Sequence, residues 1–218
     1  MIPAVFFDMD GVLVDSEPEW QQAEIAIFSE LGVTLTVKDC VETKGMRIDE
    51  VVRYWFSRFP WQGPSLDETT ERIVAEMERR LRSVAQPMKG AVESLRSARK
   101  QSDTVAIVSS SPHRLIDAVV ERLGIAALLD FCVSGEDVAA GKPHPEIYLL
   151  AASKAKVAPV EAWVIEDSVF GVVAAKAARM RCIAVPAAEE RDDPRFSLAD
   201  ECIDSLLELN DRDWGTRT

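Results

Sequence analysis

The chain opens with IPAVFFDMDGVLVDSEP, residues 2–18, an apolar run that stops at two aspartates, Asp8 and Asp10, with one residue between them. A short run rich in β-branched and aromatic residues, ended at once by charge, reads as a strand buried on both faces, the kind that parallel sheets use. Two carboxylates this close repel by about 4 kcal/mol at a separation of ~4 Å in a medium of effective dielectric ~20. Something must offset that repulsion at the end of the strand.

Outward from this strand the periodicity changes. From about Ser16, the residues Trp20, Ala23, Ile27, Phe28 and Leu31 recur at three- and four-residue steps, which predicts a helix that Gly32 ends. Ile48, Val51, Val52, Trp55, Phe56 and Phe59 predict a second helix, broken by PWQGP. Ile73, Val74, Met77, Leu81 and Val84 form the apolar stripe of a third, whose other face is rich in Glu and Arg. Beyond PMKG the pattern becomes βαβ. Strands are predicted at TVAIVS (104–109), FCVS (131–134), AWVIE (162–166) and RCIAVP (181–186), with helices around 113–123, 145–155 and 170–178. The fold class is therefore α/β, a Rossmann-like, doubly wound parallel sheet with an inserted all-α cap. The expected core comprises residues 1–15 and 86–218, and the cap residues 16–85.

The totals exclude several classes. A chain of 218 residues, 47% hydrophobic and 28% charged, is neither fibrous nor disordered, and it suffices for one large domain or two modest ones. Its first residues lack a basic n-region and meet a carboxylate early, and no apolar run approaches the ~20 residues of a membrane span. A cytoplasmic protein is expected. Cys40, Cys132, Cys182 and Cys202 are scattered without the spacing of a zinc site, which predicts buried free thiols. The net charge of −12 argues against nucleic acid or an anionic membrane as partner, while leaving room for a small anionic substrate.

Ligands of open parallel sheets bind beyond the carboxyl ends of the strands. Four segments deliver polar groups to that edge: Asp8 and Asp10, Ser109 to Ser111, the GKPHP stretch after FCVS, and Glu166-Asp167-Ser168. Alone, an Asp-x-Asp-Gly sequence is weak, because calcium loops and ordinary turns also use it. The joint occurrence of four such strand ends is specific.

DMDGVLVDSEP, a serine-ended strand, GKPHPEIY and IEDSVFG, in this order, resemble the haloacid dehalogenase superfamily, in its phosphatase and phosphomutase branch with a helical cap. The resemblance spans nearly the whole chain. It implies a Mg2+-dependent phosphatase acting on sugar and sugar-alcohol phosphates, of the 2-deoxyglucose 6-phosphate or hexitol phosphate type, through an aspartyl-phosphate. Asp8 would be the nucleophile and Asp10 the general acid and base. The metal would be held by Asp8, a backbone carbonyl at Asp10, Asp167 and Glu166, the last directly or through water. Lys142, Ser109 and Ser110 would bind the phosphoryl group, while His144 is expected in a structural role. Arg47, in the KGMR stretch that begins at Lys44, would contact the substrate from the cap, and Trp20 either packs in the cap or lines the pocket. A small phosphorylated sugar is the expected partner, and a monomer the expected state.

Two other functions fit less well. Mutases of the same branch carry a histidine in the first cap helix, whereas this chain has only His113 and His144, and Trp20 stands at about the matching place. A phosphoryl-accepting signalling module would share the aspartate, acidic ligands and lysine. Such modules place the acceptor on a later strand and lack a helical insertion.

Overall fold

The computed structural model describes residues 2–210, 212 and 214. The opening strand, β1 (Ile2–Phe7), is the centre of the molecule, paired in parallel with β2 (Ser102–Ser109) on one side and β4 (Ala162–Glu166) on the other. With β3 (Phe131–Ser134), β5 (Arg181–Ala184) and β6 (Glu201–Cys202), the sheet order is β3-β2-β1-β4-β5-β6, every pairing parallel. The chain winds outward from β1 in one direction and then, from β4, in the other. The gap between β1 and β4 is thus the switch point, where a doubly wound sheet leaves a crevice.

Side-chain alternation builds two apolar layers. Val5, Phe7, Val105, Ile107 and Ile165 face one cluster, and Ala4, Phe6, Ala106, Val108 and Val164 the other. The first layer is completed by Leu95 and Ala98 of α5 (Ala91–Gln101) and by Leu115, Ile116 and Val119 of α6 (His113–Leu123). Ile147 and Ala151 of α7 (Glu146–Ala155) and Val172 and Ala175 of α8 (Val169–Ala177) complete the second. Each large side chain so buried contributes roughly 1.5–3 kcal/mol.

Between β1 and α5 lie four consecutive helices: α1 (Glu17–Glu30), α2 (Val37–Glu42), α3 (Ile48–Arg58) and α4 (Leu66–Val84). Phe28, Val52, Trp55, Ile73, Met77 and Leu81 fill their interior, continuous with the first layer of the core. Trp61, in the predicted break between α3 and α4, packs edge-on against Phe28 and Phe56, with ring centroids 5.8 and 4.7 Å away. Thr36 with Asp39, and Ser65 with Glu68, form reciprocal capping boxes that start α2 and α4.

The predicted strands and long helices are found within a few residues of their expected bounds, and α2, α5 and β6 are additional. Of the expected core, residues 1, 211, 213 and 215–218 lie outside the described residues. All four cysteines are free, but only Cys40 and Cys182 are buried; Cys132 is half-buried and Cys202 exposed. No helix among the described residues is long and apolar enough to cross a membrane.

Candidate active site

At the end of β1 the Asp8 amide donates to the Ile165 carbonyl at 2.9 Å, continuing the ladder by one residue. The chain then turns sharply, the amides of Val12, Leu13 and Val14 all donating to the Met9 carbonyl. Gly11 sits in this turn with φ +72°, and a Cβ on it would lie 2.1 Å from Asp167 Oδ2. Glycine is required twice over here, for the left-handed backbone and for the approach of the carboxylate. Asp8 at the end of β1 and Asp167 just after β4 therefore meet at the switch point.

Lys142 reaches the same place from the loop between β3 and α7. Its ammonium is buried and donates to Asp8 Oδ1 at 2.7 Å, Glu166 Oε1 at 2.6 Å and the Val108 carbonyl at 3.3 Å. Glu166 is fully enclosed. Besides Lys142, its Oε1 accepts from the Tyr148 hydroxyl at 2.6 Å, and its Oε2 from the Asp167 amide and from the Ser168 amide and hydroxyl. Gly171, in the first turn of α8, makes this burial possible, since a Cβ there would lie 1.9 Å from the Glu166 carboxyl carbon.

Asp10 is held by three donors. Ser16 Oγ and Trp20 Nε1 donate to its Oδ1 at 2.6 and 2.9 Å, and Ser111 Oγ to its Oδ2 at 2.7 Å. Ser16 precedes α1 but makes no side-chain cap, because its hydroxyl serves Asp10 instead. Ser109 Oγ accepts from the Ser111 amide at 3.0 Å, and Ser110 Oγ donates to the Gly45 carbonyl of the cap at 3.0 Å.

Charge in the site is crowded. Asp8, Glu166 and Asp167 are all buried, and one oxygen from each lies within 4.8 Å of the others. Burial pushes the Asp8 carboxyl well up, opposed by Lys142 and reinforced by its acidic neighbours. Burial likewise raises Asp167 to about 7, against the pull of Lys44. Lys142 is itself raised above its ordinary value, since Asp8 and Glu166 outweigh its desolvation. Three clustered oxygen donors, with no His or Cys, and negative charge only partly balanced by Lys142 and Lys44 suit a hard divalent cation.

Six of the predicted residues, Asp8, Asp10, Ser109, Ser110, Lys142 and Asp167, line one cavity between core and cap. Glu166 lies directly behind it. Trp20 both lines the cavity and binds Asp10. Arg47, expected to contact the substrate from the cap, is not among the residues lining this cavity. Its Nε and Nη2 pair with Asp49 at 2.6 and 2.8 Å, and its Nη1 donates to the carbonyls of Gly135 and Val138 at 3.2 and 2.9 Å. Arg47 stands at the N-cap of α3, where the chain direction turns it onto the core loop. His144 is exposed. Lys44, from the cap, bridges Asp167 at 2.9 Å and Glu190 at 2.5 Å. Sequence reasoning did not single out the roles of Ser16, Ser111 and Tyr148. Ser111 was visible as a strand-end serine, but nothing in the sequence aimed Tyr148 at Glu166.

A doubly wound sheet with a nucleophile-capable aspartate at its switch point, a buried lysine, an acidic cluster that could hold a cation and a helical cap defines a class of hydrolases. Residues 2–179 match the sequence profile of the haloacid dehalogenase-like hydrolases, and the chain belongs to that family as a phosphatase. It is 40% identical over 213 residues to hexitol phosphatase B of Escherichia coli K12, covering 97% of this chain and 96% of that protein. It is 32% identical over 175 residues to the phosphorylated carbohydrates phosphatase of Thermotoga maritima, covering 80% and 81%. Among solved structures, CbbY from Rhodobacter sphaeroides in complex with phosphate superposes with a TM-score of 0.83 at 26% identity, over 96% of each chain.

Proposed function

We propose that this enzyme hydrolyses the phosphate monoesters of sugar alcohols and sugars, hexitol phosphates foremost, through an aspartyl-phosphate on Asp8. The observation that carries this reading is the pairing at one cavity of a lysine-held Asp8 with an Asp10 fixed by three donors. An oxygen of Asp8 attacks phosphorus and the bond to the substrate oxygen breaks. Asp10 gives the departing oxygen its proton, and the alcohol leaves. Asp10 then takes a proton from water, whose oxygen attacks the acyl phosphate, restoring the Asp8 carboxylate and releasing inorganic phosphate.

Lys142 neutralises charge on the phosphoryl oxygens. Ser109, whose oxygen already accepts from the Ser111 amide, keeps its O–H free to donate to them. Mg2+ suits the acidic cluster, and when bound it would supply further charge neutralisation to the phosphoryl group. Asp8 and Asp167, with the Asp10 carbonyl, would hold it. Glu166 already accepts hydrogen bonds from Lys142, Tyr148, Asp167 and Ser168, and would act through these neighbours.

Trp20 favours hydrolysis over transfer between sugar positions, because an indole N–H donates but cannot accept and return a proton. The enzyme would act as a cytoplasmic monomer on a diffusible substrate. The test is kcat/KM for phosphate release from hexitol, hexose and 2-deoxyhexose phosphates in the presence of Mg2+. Hexitol phosphates should rank first, and failure of all of them to release phosphate would reject the reading.

A further inference from the structure

The cavity has a second end, formed by the cap. Glu17, Gln21 and Glu24 line it from α1, spaced four and three residues apart and so on one face of that helix. Glu24 differs from the other two in being only 7% exposed. Its Oε2 is inaccessible and has no hydrogen-bond partner among the described residues, and the Cys40 thiol lies beside the carboxyl. Of the residues with a buried side-chain polar atom left in this state among the described residues, Glu24 is the one that lines the cavity, where a ligand group can reach its carboxyl. Among the described residues, this end of the cavity offers an incoming anion no free cation. The one lysine that lines the cap side, Lys44, is engaged by Asp167 and Glu190.

Resting on the phosphatase reading above, we propose that Glu24 binds a hydroxyl group at the far end of the substrate. The enzyme thereby selects monophosphates with an uncharged, hydroxylated tail and rejects those carrying a second phosphate. A hydroxyl can hydrogen-bond the Glu24 carboxyl, whereas an alkyl tail would leave it unpaired and a second phosphate would be buried with no free cation to pair it.

The experiment compares kcat/KM of the full chain for glucitol 6-phosphate, n-hexyl phosphate and glucitol 1,6-bisphosphate, measured by phosphate release. The wild type should prefer glucitol 6-phosphate to each of the others by at least about tenfold. In Glu24→Met the preference over hexyl phosphate should fall at least about fivefold, chiefly through KM, while Glu24→Gln, which keeps shape and hydrogen bonding, should retain it. A folded Glu24→Met enzyme with the preference intact overturns the assignment. Independently of any variant, so does a wild type that cleaves hexyl phosphate and glucitol 6-phosphate equally well. Release of phosphate from none of the three compounds overturns the phosphatase reading itself, and this inference with it.

Discussion

Trp20 of the cap donates its indole N–H to Asp10 of the core, Nε1 to Oδ1 at 2.9 Å, so the orientation of the proposed acid and base depends on where the cap sits. Ser16 and Ser111 hold Asp10 from the hinge and from the core, and Trp20 alone among the three belongs to a cap helix. Trp20→Phe removes this tie while keeping an aromatic ring. It is expected to lower kcat about five- to thirtyfold with a smaller change in KM, the roughly 1–2 kcal/mol lost when a partly buried acceptor loses one donor. Steady-state kinetics on glucitol 6-phosphate check this, and an unchanged kcat would show that Asp10 needs no help from the cap.

Lys142 is the sole cation directly bonded to Asp8 and Glu166 among the described residues. Lys142→Met leaves two buried carboxyls uncompensated, a change that costs about 3–5 kcal/mol in buried ion pairs. In metal-free buffer the melting temperature is expected to fall by roughly 10 °C, given about 2–4 °C per kcal/mol for a chain of this length. Turnover should be lost as well. A variant that melts with the wild type would mean that the lysine does not balance the buried charge.

Gly11→Ala places a methyl group 2.1 Å from Asp167 Oδ2 on a backbone with φ +72°. Asp167 must move away from Asp8, so the concentration of Mg2+ that supports half-maximal activity is expected to rise at least about tenfold. An activity assay across a Mg2+ series measures it. An unchanged requirement would separate Gly11 from the cation site.

Glu24 gives the cap a pH dependence. Burial, with Glu17 adding repulsion and Cys40 opposing through a hydrogen bond, raises its carboxyl to about 8, so it is protonated in the folded protein at neutral pH. Its folded value lies above the unfolded one. The native state thus binds more protons between them, and this contribution to stability declines as pH rises from near 4.5 towards 8. Denaturant unfolding of wild type and Glu24→Gln across that range should show the variant losing less stability on the alkaline side. Parallel profiles would contradict the shift.

How much of this was legible in the sequence follows from what each residue depends on. IPAVFF and AWVIE could be read as strands because both faces are buried and each run is apolar up to the carboxylate that closes it, Asp8 after the first and Glu166 in the second. Asp8, Asp10, Lys142 and Asp167 could be read because they follow such strands, and topology alone brings strand ends together. The six-residue α2 and the two-residue β6 are too short to carry a period, and α5 offers few large apolar side chains. Arg47 is expected at the substrate from its position in the chain, but its direction in the fold depends on Asp49 and on two carbonyls 88 and 91 residues away, which spacing does not encode. Tyr148 and Glu24 escaped notice for a similar reason: a buried partner, or the lack of one, is a property of packing that no spacing encodes.

The central claim is that Asp8 is the nucleophile of a sugar-alcohol phosphatase. Continuous phosphate release from glucitol 6-phosphate with Mg2+ should be measured for wild type and Asp8→Asn side by side, with melting curves to verify that both are folded. The wild type is expected to turn over many times, and the folded variant to lose at least about a thousandfold in kcat, since removal of the attacking atom blocks the covalent step. A folded Asp8→Asn enzyme within tenfold of the wild type would contradict it.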